Sequence, residues 1–232
     1  MNELPRIFLP TCSKYYPALR VFVYLLDKYW SGHPEVCVVG FRPPEFTLPD
    51  RFTFMSLGDD DWPKEKFSNQ FVEFFNMVSD EYIIHAQSDY WLYRQVNVDA
   101  IERLYKYIQT NPNILRIDLT WNRMKCETAT DCGVLDYIDL VSTPAGSPYQ
   151  MSNQWAIWNV QLWKEFLRPN EFHEMELWGS YRLAERPDVL VLGTKQVPIR
   201  HVPAIDRGDS VNLRHIQQQD ETELQRLGLL PL

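Results

Sequence analysis

The sequence lacks a long apolar run, an excess of positive charge and any stretch of low complexity. Its apolar runs all fall short of the ~20 residues that a membrane-spanning helix needs. The first ten residues, MNELPRIFLP, show no basic region followed by an apolar one and a small-residue cleavage site. Lys and Arg number 23 against 31 Asp and Glu, a formal net charge of −8. We therefore expect a soluble cytoplasmic protein without a transmembrane segment, and no nucleic-acid partner held by bulk charge.

Cysteine is scarce, and its spacing is unlike that of a zinc or redox motif. The four cysteines are Cys12, Cys37, Cys126 and Cys132, and no two of them form a Cys-x-x-Cys pair. Reduced thiols in a reducing compartment are the favoured interpretation. A disulfide between Cys126 and Cys132 stays open as the alternative, although nothing else in the sequence points to it.

The composition is otherwise that of a folded globular domain with many aromatic rings. Hydrophobic residues make up 45% and charged residues 23% of the chain, which excludes a disordered chain, a collagen and a coiled coil. Eight Trp and twelve Tyr contribute to an aromatic content of 14%. Trp and Tyr combine a flat apolar face with one polar group, so they suit sugar and base surfaces as well as cores.

Short β-branched runs alternate with segments of helical periodicity along the chain, which predicts an α/β domain with a largely parallel sheet. The region 126–150 is less regular, and we expect a hairpin or loop excursion there. No internal repeat or linker divides the chain, so a single domain over residues 1–232 is predicted. The predicted strands are 6–9, 35–39, 52–57, 81–86, 114–119, 154–159 and 189–192, and the main helices are 16–30, 98–108, 161–167 and 174–185.

Ligands of open α/β sheets bind beyond the carboxyl ends of the strands, so the residues that follow each strand are the candidates for a site. Asp89 is the most informative of them, because a carboxylate just after a buried strand is well placed to hold Mg²⁺ or Mn²⁺. The alternative, that Asp89 caps the next turn, stays open. The candidates are Thr11, Cys12, Ser13, Tyr15 and Tyr16 after the first strand, Arg42 after the second, Ser88 and Asp89 after the fourth, and Trp121, Asn122 and Arg123 after the fifth.

Three stretches together resemble the GT-A glycosyltransferases that use nucleotide sugars. The run 62–92, WPKEKFSNQFVEFFNMVSDEYIIHAQSDYWL, is similar to their helix, strand and acidic metal motif. The run 151–183 resembles their acceptor-side strand and helices, and the tail carrying Arg200-His201-Val202 and Arg207-Gly208 is the third match. The resemblance implies a Rossmann-like, mostly parallel sheet flanked by helices, with a small acceptor-side region of hairpin and helix. Residues up to about 123 would form the nucleotide-sugar half and residues from about 124 the acceptor half.

The resemblance also implies an activity and assigns residues to it. A sugar would move from a UDP-sugar donor to a hydroxyl of a glycan or another acceptor, with inversion and with the help of Mn²⁺ or Mg²⁺. Asp89 and His201 would hold the metal ion, and Glu176, or otherwise Glu174, would be the catalytic base. The implied donor contacts are Pro10, Thr11, Cys12, Ser13, Tyr15, Arg42, Lys66, Gln87, Ser88, Trp155, Arg200 and Arg207.

The sequence departs from this family at its metal motif. Where two acids are usual, Gln87-Ser88-Asp89 leaves one carboxylate. The literal Asp-x-Asp of residues 59–61 precedes a predicted helix, and capping explains it better than metal binding. Two other functions stay open: a noncatalytic sugar- or nucleotide-sugar-binding relative, and a nucleotidyltransferase, which the absence of a Gly-rich loop disfavours.

Overall fold

The structure is a computed structural model that describes residues 4–58, 67–123, 128–168, 171, 174–206, 210–211 and 216–230. The elements in chain order are β1 (Ile7–Pro10), a 3₁₀ turn (Ser13–Tyr15), α1 (Tyr16–Tyr29), β2 (Val36–Gly40), β3 (Phe52–Ser56), α2 (Phe67–Met77), β4 (Tyr82–His85), β5 (Tyr90–Leu92), α3 (Val98–Thr110), β6 (Ile114–Asp118), β7 (Thr130–Leu135), β8 (Ile138–Ser142), β9 (Ala156–Asn159), α4 (Val160–Phe166), α5 (Glu174–Leu183), β10 (Leu190–Thr194), β11 (His201–Pro203), β12 (Ile205–Asp206), β13 (Ser210–Val211) and α6 (Gln218–Arg226).

Within these residues one nine-stranded sheet runs in the order β3-β2-β1-β4-β9-β6-β10-β8-β7. The strands β1 to β4 are parallel, and β9 runs antiparallel between β4 and β6. Strand β10 is again parallel to β6. The carboxyl ends of β1, β2, β4, β6 and β10 therefore lie along one edge of the sheet.

Helices cover both faces of this sheet. On β1, alternation sends Ile7 and Leu9 into the core under α1, α3 and α6, while Phe8 points to the other side. There the Phe8 ring stacks on Phe74 of α2 at a centroid distance of 4.4 Å, in a core completed by α4 and α5. Because both faces of the sheet are buried, the central strands are continuous apolar runs.

The predicted α/β class, with a mostly parallel sheet flanked by helices, is confirmed. Each predicted strand is present, with its ends moved by one or two residues. The excursion expected in 126–150 contains the hairpin of β7 and β8, which extends the sheet at one edge. No helix of the described ranges is long and apolar enough to cross a membrane.

Two features of the chain beyond residue 200 were not predicted. Strand β11 pairs antiparallel with the short strand β5, so that the chain returns to the end of β4. Helix α6 then lies against α1, where the buried Asp220 accepts hydrogen bonds from Lys28 Nζ at 2.9 Å and from Tyr29 Oη at 2.6 Å. These contacts fix the end of the chain to the helix that follows β1.

Candidate functional site

The candidate site lies at the carboxyl edge of β1 and β4, which are neighbouring parallel strands. Thr11 directly follows β1, and Ser88 follows β4 by three residues. Their hydroxyl oxygens are 3.2 Å apart, and either one can donate the hydrogen bond between them. Both side chains are buried, at 4% exposure each. The loop predicted to bind the donor is therefore joined to the motif predicted to bind the metal.

Asp89 is the next residue along, and its carboxyl group is largely shielded from water. Burial raises the pKa of this carboxyl from 3.8 to about 6, against a smaller opposing effect of its own backbone. The carbonyl of Asp89 accepts a hydrogen bond from the backbone nitrogen of Ala204 at 2.6 Å. A desolvated carboxylate gains from a bound cation, so this residue suits the metal role predicted for it.

Tyr90 interacts with both candidate metal ligands, Asp89 and His201, and with the candidate base, Glu176. Its ring lies against the ring of His201, with the centroids 4.7 Å apart. The pKa of its phenol is raised first by burial and then by the negative charges of Asp89 and Glu176. His201 of β11 thus contacts Tyr90, and Asp89 after β4 and Glu176 of α5 are near enough for their charges to act on its phenol.

Glu176 is held at its place in α5 by the segment before β9. Its Oε1 accepts a hydrogen bond from the backbone nitrogen of Asn153 at 2.6 Å. One helical turn further on, Ser180 Oγ donates to the carbonyl of Glu176 at 2.6 Å and accepts from the backbone nitrogen of Met151 at 3.2 Å. Glu174 begins the same helix, but its side chain lies outside the described part of the chain.

The remaining donor candidates lie around this edge with different exposure. Pro10 is buried as the last residue of β1, and Cys12, Tyr15 and Gln87 are half-buried. Ser13, Arg42 and Arg200 are exposed, and the carbonyl of Arg42 accepts a hydrogen bond from the Tyr16 hydroxyl. Lys66, Arg207 and the run 59–61 lie outside the described residues.

Trp155 does not reach the site, which corrects its assignment as a donor contact. The residue is 0% exposed, and its ring stacks on Phe22 of α1 at 5.7 Å with an interplanar angle of 12°. Trp158 is equally buried and stacks on Trp163 at 3.9 Å. Trp121, by contrast, is 53% exposed at the end of β6, so it retains a face that a sugar ring can contact.

A buried ionic cluster beneath the site was missed by the sequence reasoning. Arg116 and Asp118 of β6 are 0% exposed and Arg123 is 1% exposed, and both arginines donate hydrogen bonds to the Asp118 carboxylate. The signal was present in the sequence: an Arg and an Asp two residues apart lie on the same face of a strand. In a strand predicted to be buried, such a pair implies a paired charge inside the protein.

Few side chains at this edge of the sheet are suitable ligands for a metal ion. In the described parts of the chain, no three His, Cys, Asp or Glu side chains form a group that could hold one. Asp89 offers a carboxylate oxygen and His201, which pairs with Leu92 across β11 and β5, offers an imidazole nitrogen, and both atom types are acceptable to Mn²⁺. Magnesium and manganese commonly complete their shells with water and substrate phosphates, so the residues fit an ion bound together with a diphosphate.

Comparison with known proteins shows similarity in structure alone. No protein-family model matches the sequence, and a search of curated proteins finds no match. One similar solved structure is a UDP-glucose pyrophosphorylase complexed with UDP-glucose, with a TM-score of 0.50 and 7% identity over 86% of this chain and 92% of that one. A second is a UTP-bound UGPase from Acinetobacter baumannii, with a TM-score of 0.53 and 8% identity over 99% of this chain and 100% of that one. At these identities the similarity establishes the Rossmann-like fold.

Proposed function

We propose that the protein is a GT-A type glycosyltransferase that transfers a sugar from a UDP-sugar to a hydroxyl group of a glycan acceptor, assisted by Mn²⁺ or Mg²⁺. One observation carries the proposal. His201 contacts the ring of Tyr90, and Asp89 and Glu176, the other two residues that the resemblance assigns to metal binding and catalysis, are near enough for their charges to raise the pKa of its phenol. They come from distant parts of the sequence, and a purely structural role does not require their convergence at the edge where α/β proteins bind ligands.

The donor would bind across the ends of β1 and β4. Asp89 would hold the metal ion with His201, and the ion would neutralise charge on the departing diphosphate. The hydrogen-bonded hydroxyl groups of Thr11 and Ser88 lie between the ends of these two strands. Arg42 and Arg200 are exposed, and their guanidinium groups would donate to phosphate oxygens.

The proposed transfer moves one proton from the acceptor hydroxyl and releases one leaving group, UDP. Glu176 would accept the proton of the acceptor hydroxyl as that oxygen forms a bond to C1 of the sugar. The bond between C1 and the β-phosphate oxygen breaks, and UDP leaves with the electron pair. Attack from the face opposite the diphosphate gives inversion.

A nucleotidyltransferase is the second candidate, and the similar solved structures favour it. They are described as complexes of a UDP-glucose pyrophosphorylase and a UGPase with UDP-glucose and UTP. Against this candidate, the turn after β1 reads Thr11-Cys12-Ser13-Lys14 and has no glycine that would let backbone amides wrap a triphosphate.

Calorimetry with UDP, UDP-glucose and UTP, each with and without Mn²⁺, tests the shared basis of both candidates. We expect UDP to bind more tightly with Mn²⁺, and Asp89→Ala to remove the gain. Asp50→Ala is the matched control, because Asp50 is an exposed acid near the start of β3, at the opposite edge of the sheet. Failure of all three nucleotides to bind under either condition would overturn the proposal.

Product analysis then separates the two reactions. A glycosyltransferase releases UDP from a UDP-sugar when an acceptor is present, whereas a pyrophosphorylase consumes added pyrophosphate and forms UTP. Glu176→Gln should lower the rate of UDP release by about 10²- to 10⁴-fold and leave UDP binding within about twofold of the wild type, since the base acts on the acceptor. UTP formation without UDP release would favour the second candidate, and nucleotide binding without either product would indicate a noncatalytic relative.

A further inference from the structure

Three buried charges form a connected unit under the candidate base. Asp118 accepts from Arg116 Nη2 on one carboxylate oxygen and from Arg123 Nε on the other at 2.8 Å. The Arg116 guanidinium also lies over the ring of Trp158, 4.4 Å from its centroid. Burial of such charges is costly, and replacing them with apolar side chains is often neutral or stabilising. Their presence therefore calls for an explanation other than stability.

Both arginines also donate to backbone carbonyls of one segment of chain, residues 149–153. Arg116 Nη1 donates to the carbonyl of Ser152, and Arg123 Nη2 donates to the carbonyl of Tyr149 at 2.8 Å. Arg123 Nη1 also reaches Thr143 Oγ1 at 3.3 Å. The segment 149–153 is thus held from below by two guanidinium groups that Asp118 fixes relative to each other.

This segment is the one that holds Glu176. The amide next to the Arg116-bound carbonyl is that of Asn153, which donates to Glu176 Oε1 at 2.6 Å. Tyr149, whose carbonyl Arg123 binds, has a φ of 61°, a left-handed conformation that costs a non-glycine residue roughly 1–3 kcal/mol. The arginines therefore hold a strained segment whose end contacts the candidate base.

The packing around Arg123 shows that its position is tightly specified. A Cβ added to Gly193 of β10 would lie 2.5 Å from Arg123 Cβ and 2.9 Å from its Cγ. Only glycine at residue 193 leaves room for the arginine as it stands. An alanine there would displace Arg123 without altering any charge.

We propose that Arg116 and Arg123, fixed by Asp118, are positioning residues that hold segment 149–153 and through it set the place of the Glu176 carboxylate. The catalytic meaning of this arrangement rests on the proposed function, in which Glu176 is the base. The positioning itself is a property of the ligand-free protein, so it can be tested without any activity.

The first test uses the amide of Asn153 as a spectroscopic probe in protein labelled with ¹⁵N-asparagine. A backbone N–H donating to a carboxylate at 2.6 Å gives a proton resonance far downfield, and Glu176→Gln should move it upfield. Arg116→Lys keeps a positive charge for Asp118, but one ammonium group cannot reach both Asp118 and Ser152 as the two Nη groups do. We expect this variant to move the Asn153 resonance upfield as well.

Two further variants accompany this test, one as a control and one as an alternative to Arg116→Lys. Arg6→Lys is the control, because Arg6 pairs with Asp80 in the same forked manner just before β1, away from the site. It should leave the Asn153 resonance in place. Gly193→Ala, which disturbs Arg123 by crowding, should shift it, and this variant serves where Arg116→Lys does not fold. An unchanged Asn153 resonance in a folded Arg116→Lys or Gly193→Ala protein would overturn the proposal.

The second test is kinetic and applies once UDP release has been measured. Arg116→Lys should lower kcat by about 10- to 100-fold with the donor KM within about twofold, as expected for a displaced catalytic group. Combining it with Glu176→Gln should cause no further loss, because both changes act on one step. Equal losses in both backgrounds would assign Arg116 a merely structural role. Absence of UDP binding would instead refute the proposed function and leave the spectroscopic result standing.

Discussion

Asp89→Asn should make the protein more stable at neutral pH in the absence of added metal ion, because burial of the Asp89 carboxylate is costly. Burial raises the pKa of its carboxyl from 3.8 to about 6. Below pH 3.8 the group is protonated in both the folded and the unfolded state, and it costs nothing. As the pH rises from 3.8 to 6 the unfolded state loses the proton first, so stability falls, and above pH 6 the full cost is present.

The size of this cost follows from the two pKa values. The difference between 3.8 and about 6 corresponds to roughly 3 kcal/mol, at about 1.4 kcal/mol for each pH unit. Asparagine carries no charge, so the stability gained by Asp89→Asn should grow from about 1 kcal/mol at pH 4.5 to about 3 kcal/mol at pH 8. That is a large share of the total stability of a typical domain.

Urea unfolding of both proteins between pH 4.5 and pH 8 measures the gain, since the titration of all other groups cancels in the difference. Asp50→Asn, which removes an exposed acid, is the matched control for the change of side chain. Addition of Mn²⁺ and UDP at about 1,000 times the wild-type Kd should reverse the order, because such a ligand stabilises the protein that binds it by about 4.1 kcal/mol, more than the advantage of about 3 kcal/mol. A gain from Asp89→Asn that does not change with pH would refute the reasoning.

Three other changes have defined outcomes. Burial above all lowers the pKa of His85 to about 3, so stability present above pH 6.5 is lost as the pH falls toward 3. His85→Leu should therefore lose less stability than the wild type in urea unfolding at pH 5 compared with pH 7. Asp220→Ala removes the acceptor of Lys28 and Tyr29 and should cost about 1–3 kcal/mol, with faster proteolysis of the last helix. Asn97→Ala removes the side chain that caps α3 and should lower the unfolding free energy by about 1 kcal/mol.

The fold was predictable because its signals are local. The run Tyr82–His85 is apolar and flanked by polar residues, and the structure makes it a central strand, buried on both faces. The helix Val98–Thr110 shows its buried face in the spacing of Ile101, Leu104 and Ile108. The position of Asp89 after β4 followed from the same signals, since a residue's place along the chain fixes the edge of the sheet at which it lies.

The exposure of a side chain was harder to predict than the face of the strand on which it lies. Trp155 was predicted to contact the donor, and Trp158 lies on the other face of the same strand. Strand β9 instead lies between β4 and β6, with helices over both faces, so both rings are buried. The position of a strand within a sheet depends on distant pairings that the strand's own residues do not encode.

The same limit applies to the pairing of β5 with β11 beside the candidate site. Strand β5 has three residues, and its partner β11 begins more than a hundred residues later. A pattern of alternation in three residues carries almost no information about such a partner. The assignment of His201 to the same metal ion as Asp89 came from the resemblance of the tail to glycosyltransferases, not from physical reasoning on the residues alone, and it stays a prediction.

The distribution of arginines bears on how an acidic protein could hold a diphosphate. Arg116 and Arg123 carry charge close to the site, but both are buried and hydrogen-bonded to Asp118 and to the segment before β9. Arg42 and Arg200 are exposed, and each would lose up to about 2 kcal/mol of side-chain entropy on closing over a phosphate. A divalent ion at Asp89 instead relieves a carboxylate that is desolvated in the empty protein. The larger part of UDP affinity should therefore depend on the metal ion. In calorimetry, the double variant Arg42→Ala, Arg200→Ala should weaken UDP binding less than the single variant Asp89→Ala does.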